Sequence, residues 1–380
     1  HVPWPVFGPM VARTRKGNSH AYKWTCDDPD AFNFAITNLV TATSVDDALA
    51  SVGSSGMPNQ NLFVADQAGN TAWSLTGKLP RGFGFDGRDP ISWTFGDRGW
   101  DVFLTAPERP VVQGSVDQPL WSGNQRKVSG KALALLGDAG YDGPSRSGQI
   151  AEALFALEAA ASPEDMLRIQ LDDRGAWVER WRELLISSLK EIGVERGVGE
   201  RGEVLANIEE WTGHAAADSA GYRILREWRF RLAARTLEPI FAKCLRKDPA
   251  FRYQRLRYED ALWALHRDEP AHLLTPDYTN WDDLRISSID DVIAAVDDSD
   301  LILSTYHWGE ANRLSMFPPF AHIPPGPLAK ILNMPTDPQS GDSRMPRVAR
   351  PTHGASMRFA VSPGNEESGF LHLPGGQSGN

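Results

Sequence analysis

The chain has 380 residues, with 39 lysines and arginines against 49 aspartates and glutamates, a formal net charge of −10, and 41% hydrophobic against 23% charged residues. This is the balance of a globular protein with enough chain to bury a core. The acidic sum argues against nucleic acid as a partner, no run of 18 apolar residues offers a membrane span, and two cysteines, Cys26 and Cys244, are too few for a disulfide framework or a cysteine-based zinc site.

In chain order, residues 1–125 read as mixed α/β. Strands are expected over His20–Cys26, Asn61–Asp66 and Thr71–Thr76, the last two joined by the hairpin turn Gln67-Ala68-Gly69-Asn70. Short helices are expected near Asp30–Val40, capped by Asp28 or Asp30, and over Val45–Val52. From Leu79 to Leu120, Gly, Pro, Asp and Arg predict a long ordered loop with short strands. Residues 126–300 read as mostly helical. Ser162-Pro163-Glu164-Asp165 is a helix start, and Gly175–Lys190 sets Trp177, Trp181, Leu184, Leu185 and Ser188 on one stripe. Ala216–Cys244 and Tyr258–His266 continue the helical pattern. Residues 301–380 return to loop and strand, with strands expected in Ser356–Val361 and Gly369–Leu373. A mixed, then helical, then strand order predicts one α+β sheet domain, closed by its last strands, with a large helical insertion.

Local motifs carry little chemistry. GxGxxG occurs at Gly82–Gly87, where no helix follows, and at Gly197–Gly202, where a helix precedes; a dinucleotide site needs strand–turn–helix. Ser187-Ser188-Leu189-Lys190 fits SxxK but falls at a helix end without its companion motifs. Asp297-Asp298-Ser299-Asp300 lacks the glycine and closing glutamate of a calcium loop. The nine histidines have no metal-ligand spacing.

Taken in order, a set of longer blocks is more specific. Met57–Asp66 with Gly69-Asn70 and Thr76–Arg81, Trp121-Ser122-Gly123-Asn124-Gln125-Arg126, Arg146–Ile150, Ile169–Asp172, His307–Asn312, Gly354–Arg358 and Gly376–Gly379 together resemble the penicillin acylase (penicillin amidase) family of N-terminal nucleophile hydrolases. The resemblance implies an αββα sandwich, here partial. It implies a precursor that cleaves itself to expose a serine, whose hydroxyl attacks an amide while its own α-amine acts as base. The chain is then expected to be a fragment of an amidase for linear amides: β-lactam side chains, acyl-homoserine lactones or related N-acyl compounds. An inactive homologue with a binding or scaffold role is the alternative.

Residue by residue, Asn124 matches the asparagine whose side-chain amide donates to the oxyanion; read alone, it is a turn residue after Gly123. Arg146 matches the arginine held close to the nucleophile's network; read alone, it is a solvated arginine at a helix start. Gln60, Asn61 and Leu62 fall where the family lines part of its acyl pocket. Phe7-Gly8-Pro9 stands where the family usually has His-Gly-Pro. The nucleophilic serine, a neighbouring backbone donor and most of the acyl pocket are therefore expected ahead of His1, and a Ser-Pro-His-Tyr-like block after Asn380. The partners implied are a small-molecule N-acyl substrate and the small chain of the processed precursor. No cofactor is implied beyond calcium as a structural ion, for which Asp138 is the candidate ligand. The family's location, periplasmic or secreted, is expected.

Overall fold

A computed structural model describes residues 7–14, 16–115, 117–137, 140–299, 301–317 and 334–373. The architecture is α+β. The chain divides into two compact units, one of His1–Pro163 with Val361–Gly369, the other of Glu164–Ala360 with Phe370–Asn380.

In the first unit, β1 (Met10–Arg13) and β2 (Ser19–Ala21) pair antiparallel. The strand expected over His20–Cys26 stops early. A 3-10 turn takes over at Thr25–Asp27, where the Asp27 carboxylate accepts from the Trp24 N–H at 3.3 Å ahead of Pro29. The next helix is a 3-10 helix, Phe34–Thr41, and its cap is Asn33, whose Oδ1 accepts from the Ala35 N–H at 2.9 Å. Asp28 does not cap it: it lies well ahead of Phe34, and its carboxylate accepts from the Asp30 N–H at 2.9 Å and pairs with Lys78 at 2.6 Å. Helix α1 (Val45–Gly53) starts on Ser44, whose side chain accepts from the Asp47 N–H.

Strands β3 (Asn61–Ala65) and β4 (Thr71–Leu75) form the expected hairpin, with Asn61 opposite Leu75 and Phe63 opposite Trp73. The Asp66 carboxylate holds the turn by accepting from the Ala68 and Asn70 N–H groups, each at 3.0 Å. Beyond it, β5 (Pro80–Phe83) pairs with β6 (Gly99–Phe103), and β7 (Val112–Gly114) adds to β4. β4 is therefore the centre of the sheet β3-β4-β7. Its middle residues Ala72, Trp73 and Ser74 are all buried, whereas β3 alternates between exposed and half-buried, as an edge strand does. Helices α2 (Gly130–Leu136) and α3 (Pro144–Phe155) follow, the latter opened by a proline at its first position, where the missing N–H costs nothing.

The second unit is built on helices α4 (Pro163–Gln170), α5 (Glu179–Glu191), α6 (Gly199–Glu210), α7 (Ala220–Lys247), α8 (Glu259–Asp268), α9 (Trp281–Asp297) and α10 (Trp308–Ala311). Of the expected stripe, Trp177, Trp181, Leu185 and Ser188 are buried and Leu184 packs against the core from its edge. Trp177, Trp181 and Leu185 meet Val204, Leu205 and Ile208 of α6, Leu225, Trp228 and Leu232 of α7, and Ile289 and Val292 of α9 in one apolar cluster, while the Ser188 hydroxyl donates to Asp282 Oδ1 at 2.7 Å. The long α7 starts at Ala220 rather than Ala216, since the Ser219 side chain caps it by accepting from the Tyr222 N–H at 3.1 Å. The rejected motifs are structural: Gly82 lies in a hairpin strand, Gly199 opens a helix that follows a helix, Ser187 bonds Glu191 and Lys190 pairs with Glu209.

Near the end, β8 (Ala349–Arg350) pairs with β9 (His353–Gly354), and β10 (Arg358–Ala360) with β11 (Phe370–His372). The expectation that these last strands close the main sheet is corrected among the described residues. β10 and β11 satisfy each other as a two-stranded ribbon, apart from β3-β4-β7.

Candidate functional site

The loop between β7 and α2 carries Asn124, and the first turn of α3 carries Arg146. Gly123 brings the two together. A Cβ there would lie 2.9 Å from the Ser147 backbone nitrogen and 3.2 Å from the Arg146 Cβ, so only glycine lets the loop lie this close to the helix. Asn124 then adopts φ +65°, the left-handed region that asparagine tolerates better than most residues. Its N–H donates to Ser122 Oγ at 3.2 Å, and its carbonyl accepts from the Asp142 N–H at 2.9 Å.

The Arg146 guanidinium reaches back over this loop. Nη2 donates to Asn124 Oδ1 at 2.6 Å, to the Gly123 carbonyl at 3.1 Å and to Asp142 Oδ2 at 2.6 Å. Arginine only donates, so the contact at 2.6 Å identifies the Asn124 atom facing it as oxygen. The amide nitrogen Nδ2 faces away, and no acceptor among the described residues takes its hydrogens. Asn124 is exposed and Arg146 half-buried. The arrangement presents an oriented N–H donor on a fixed backbone, backed by a cation, and can stabilise negative charge on an oxygen placed before it.

The three acyl-pocket candidates lie on and beside β3. Gln60 and Asn61 are exposed and Leu62 is half-buried. Gln60 is tied through its backbone, its N–H donating to Thr76 Oγ1 at 2.9 Å. The Asn61 side chain accepts from Trp73 Nε1 at 2.8 Å. Strand alternation puts Asn61 with Phe63 on one face and Gln60 with Leu62 on the other. The Asn61 face is tied to the Asn124 loop through Lys127, whose ammonium lies near the Phe63 ring. No local sequence pattern marks this residue. Its ammonium lies over the rings of Phe63, Trp73 and Trp121, and burial lowers its pKa. A lysine three residues beyond a Trp-Ser-Gly-Asn turn is too common a pattern to single it out.

Asp138, the calcium candidate, lies outside the described residues, as does the Gly376–Gly379 block. Among the described residues no group of three or more His, Cys, Asp or Glu side chains could hold a metal ion. Within the second unit, other blocks meet. Gln170 Nε2 donates to the Phe359 carbonyl at 3.0 Å, and Arg358 to the Gln170 carbonyl at 2.9 Å. Asn312 uses one amide nitrogen to bind the carbonyls of Gln339, Gly341 and Ala349. These are scaffold contacts.

The penicillin amidase family model matches residues 1–380. The chain belongs to the penicillin amidase family. Among solved structures it is similar to a thermostable penicillin G acylase from Alcaligenes faecalis, with a TM-score of 0.57 and 14% identity over 80% of this chain and 58% of that one. The likeness is one of fold, that of an N-terminal nucleophile hydrolase. The chain spans less than two thirds of that acylase. No curated protein matches.

Proposed function

We propose that this chain supplies the oxyanion-binding part of an amidase whose nucleophile is an N-terminal serine outside residues 1–380. The observation that carries the reading is the Arg146 Nη2 contact to Asn124 Oδ1, which leaves the Asn124 Nδ2 hydrogens unspent. In the reaction the serine hydroxyl attacks the carbonyl carbon of a linear amide and its proton passes to the serine's α-amine. The oxygen turned negative accepts from Asn124 Nδ2. Collapse of the tetrahedral intermediate breaks the C–N bond, and the amine leaves with that proton. Water then splits the acyl-enzyme into acid and free serine. Arg146 is a positioning residue here, acting through the orientation of Asn124. Exposed Asn61, with Gln60 and Leu62, would border the acyl group of a β-lactam side chain, an acyl-homoserine lactone or a related N-acyl compound. Calcium enters no step. A self-cleaved precursor, a small-chain partner and a periplasmic or secreted location belong to the same proposal.

Asn124→Ala, made in the protein expressed from its complete reading frame, should lower kcat on phenylacetyl 4-nitroanilide or a long-chain acyl-homoserine lactone by about 10²–10³-fold. Near-normal turnover in that variant, or a reading frame with no self-cleavage junction ahead of a serine, would overturn the proposal. The second reading, an inactive binding homologue, is favoured by Phe7. It occupies the place of a family histidine and packs edge-on against Trp93 with ring centroids 5.7 Å apart. Absence of turnover in the complete, processed protein would select it.

A further inference from the structure

Lys127 has no role in the reaction just described, yet its ammonium sits where three separate parts of the first unit converge. Its Nζ is 5.6 Å from the ring centroid of Phe63 on β3, 5.9 Å from that of Trp73 on β4 and 5.1 Å from that of Trp121 in the loop. All three lie within the range of cation–π attraction. Nζ also donates to the Trp121 carbonyl at 2.5 Å. That bond closes residues 121–127 into a ring, inside which Gln125 accepts from the Gly123 N–H at 2.7 Å and donates to the same Trp121 carbonyl at 3.4 Å. The Trp121 ring packs edge-on against Phe155 of α3, the helix that carries Arg146, at 5.8 Å. Trp73 is anchored in turn by its indole N–H on Asn61 Oδ1.

No carboxylate is bonded to Lys127 among the described residues. Its charge is held by ring faces and one carbonyl, in surroundings that burial makes costly for an ammonium. A lysine needed only for solubility would extend into water. Here the cation faces inward, and the loop that presents Asn124 is wrapped around it.

We propose that Lys127 is a positioning residue that clamps the Asn124 loop onto the β3–β4 hairpin, and so sets where the Asn124 amide points. The proposal rests on the amidase reading for its catalytic consequence but not for its structural one, and the experiment separates the two. Lys127→Met keeps the length and apolar stem without the charge; Lys127→Arg restores a cation that can stack and donate. Both are made in the protein from its complete reading frame. Hydrogen–deuterium exchange is followed on peptides covering 119–128 and 61–75. The expected result for Lys127→Met is exchange about tenfold faster in 119–128 with 61–75 within about twofold of wild type, and return of protection in Lys127→Arg. On phenylacetyl 4-nitroanilide, kcat should fall about tenfold in Lys127→Met with KM within about twofold, and recover in Lys127→Arg. Unchanged exchange in 119–128, equal loosening of 61–75, failure of arginine to rescue, or a loss confined to KM would each overturn the clamp. If wild type turns over no amide, the amidase reading fails, and the exchange result alone decides the clamp.

Discussion

Arg146 asks one nitrogen to serve three oxygens. Nη2 carries two hydrogens, and faces the Gly123 carbonyl, Asn124 Oδ1 and Asp142 Oδ2. A lysine at this position keeps the charge but not the planar fork that aims it. Arg146→Lys should therefore leave the fold intact and let the Asn124 amide rotate. The expected loss is about 10²-fold in kcat with little change in KM, the scale of a small misplacement of a catalytic group. Steady-state kinetics of the complete protein check it, and a KM-only effect would refute it. Neither residue announces itself locally, because they are 22 positions apart and no periodicity links them. They became legible only as members of ordered blocks. Lys127 was not legible at all, since its rings come from two strands and a loop that only the fold assembles.

At the scale of elements, the helices of the second unit enclose His266 of α8. The ring is 1% exposed. Thr236 Oγ1 spends its proton on the Leu232 carbonyl at 2.8 Å, so the 3.0 Å contact to His266 Nε2 is donated by the imidazole. Burial first, then the charges of Arg285 and Arg229, lowers its pKa from 6.5 to about 3. The folded state thus holds a neutral imidazole that the unfolded chain protonates below its ordinary pKa. Stability from this group is complete above about pH 6.5 and is lost as pH falls from there towards about 3, at about 1.4 kcal/mol per unit. From pH 7 to pH 5, wild type should lose about 2 kcal/mol more than His266→Gln. Urea unfolding at the two pH values measures this, and parallel losses would contradict it. The stripe around this histidine was readable from spacing, because burial on one helix face repeats with the turn. The short elements were less so: the 3-10 turn at Thr25–Asp27 and the Asn33 cap rest on single side-chain-to-backbone bonds, of Asp27 to the Trp24 N–H and of Asn33 to the Ala35 N–H, that leave no periodic trace.

For the whole molecule, the α+β class followed from the alternation of periodicities along the chain. The split after Pro163 did not, since helices α2 and α3 belong with the preceding strands and composition does not change there. The return of Val361–Gly369 to the first unit likewise depends on contacts far apart in sequence. Charge works at this scale without reference to fold. At pH 7 the net charge of −10 opposes non-specific association between copies, and the sequence pI is near 5.4. The 380-residue chain should scatter light most strongly near that pH and least near pH 8. A solubility minimum far from it would show that the charges are not free to titrate.

Asn124 answers to two demands at once, and few residues meet both. Its left-handed backbone admits glycine, asparagine and aspartate with least strain. Its outward amide excludes glycine, which has no donor, and aspartate, which would offer only acceptors beside Arg146. Glutamine has the amide, but reaches further and fits the left-handed region less well. Position 124 is thus a narrow point in sequence space, reached by almost no tolerated single step, and it is narrowed further by Ser122 and Gln125, whose side chains hold the backbone at and just before it.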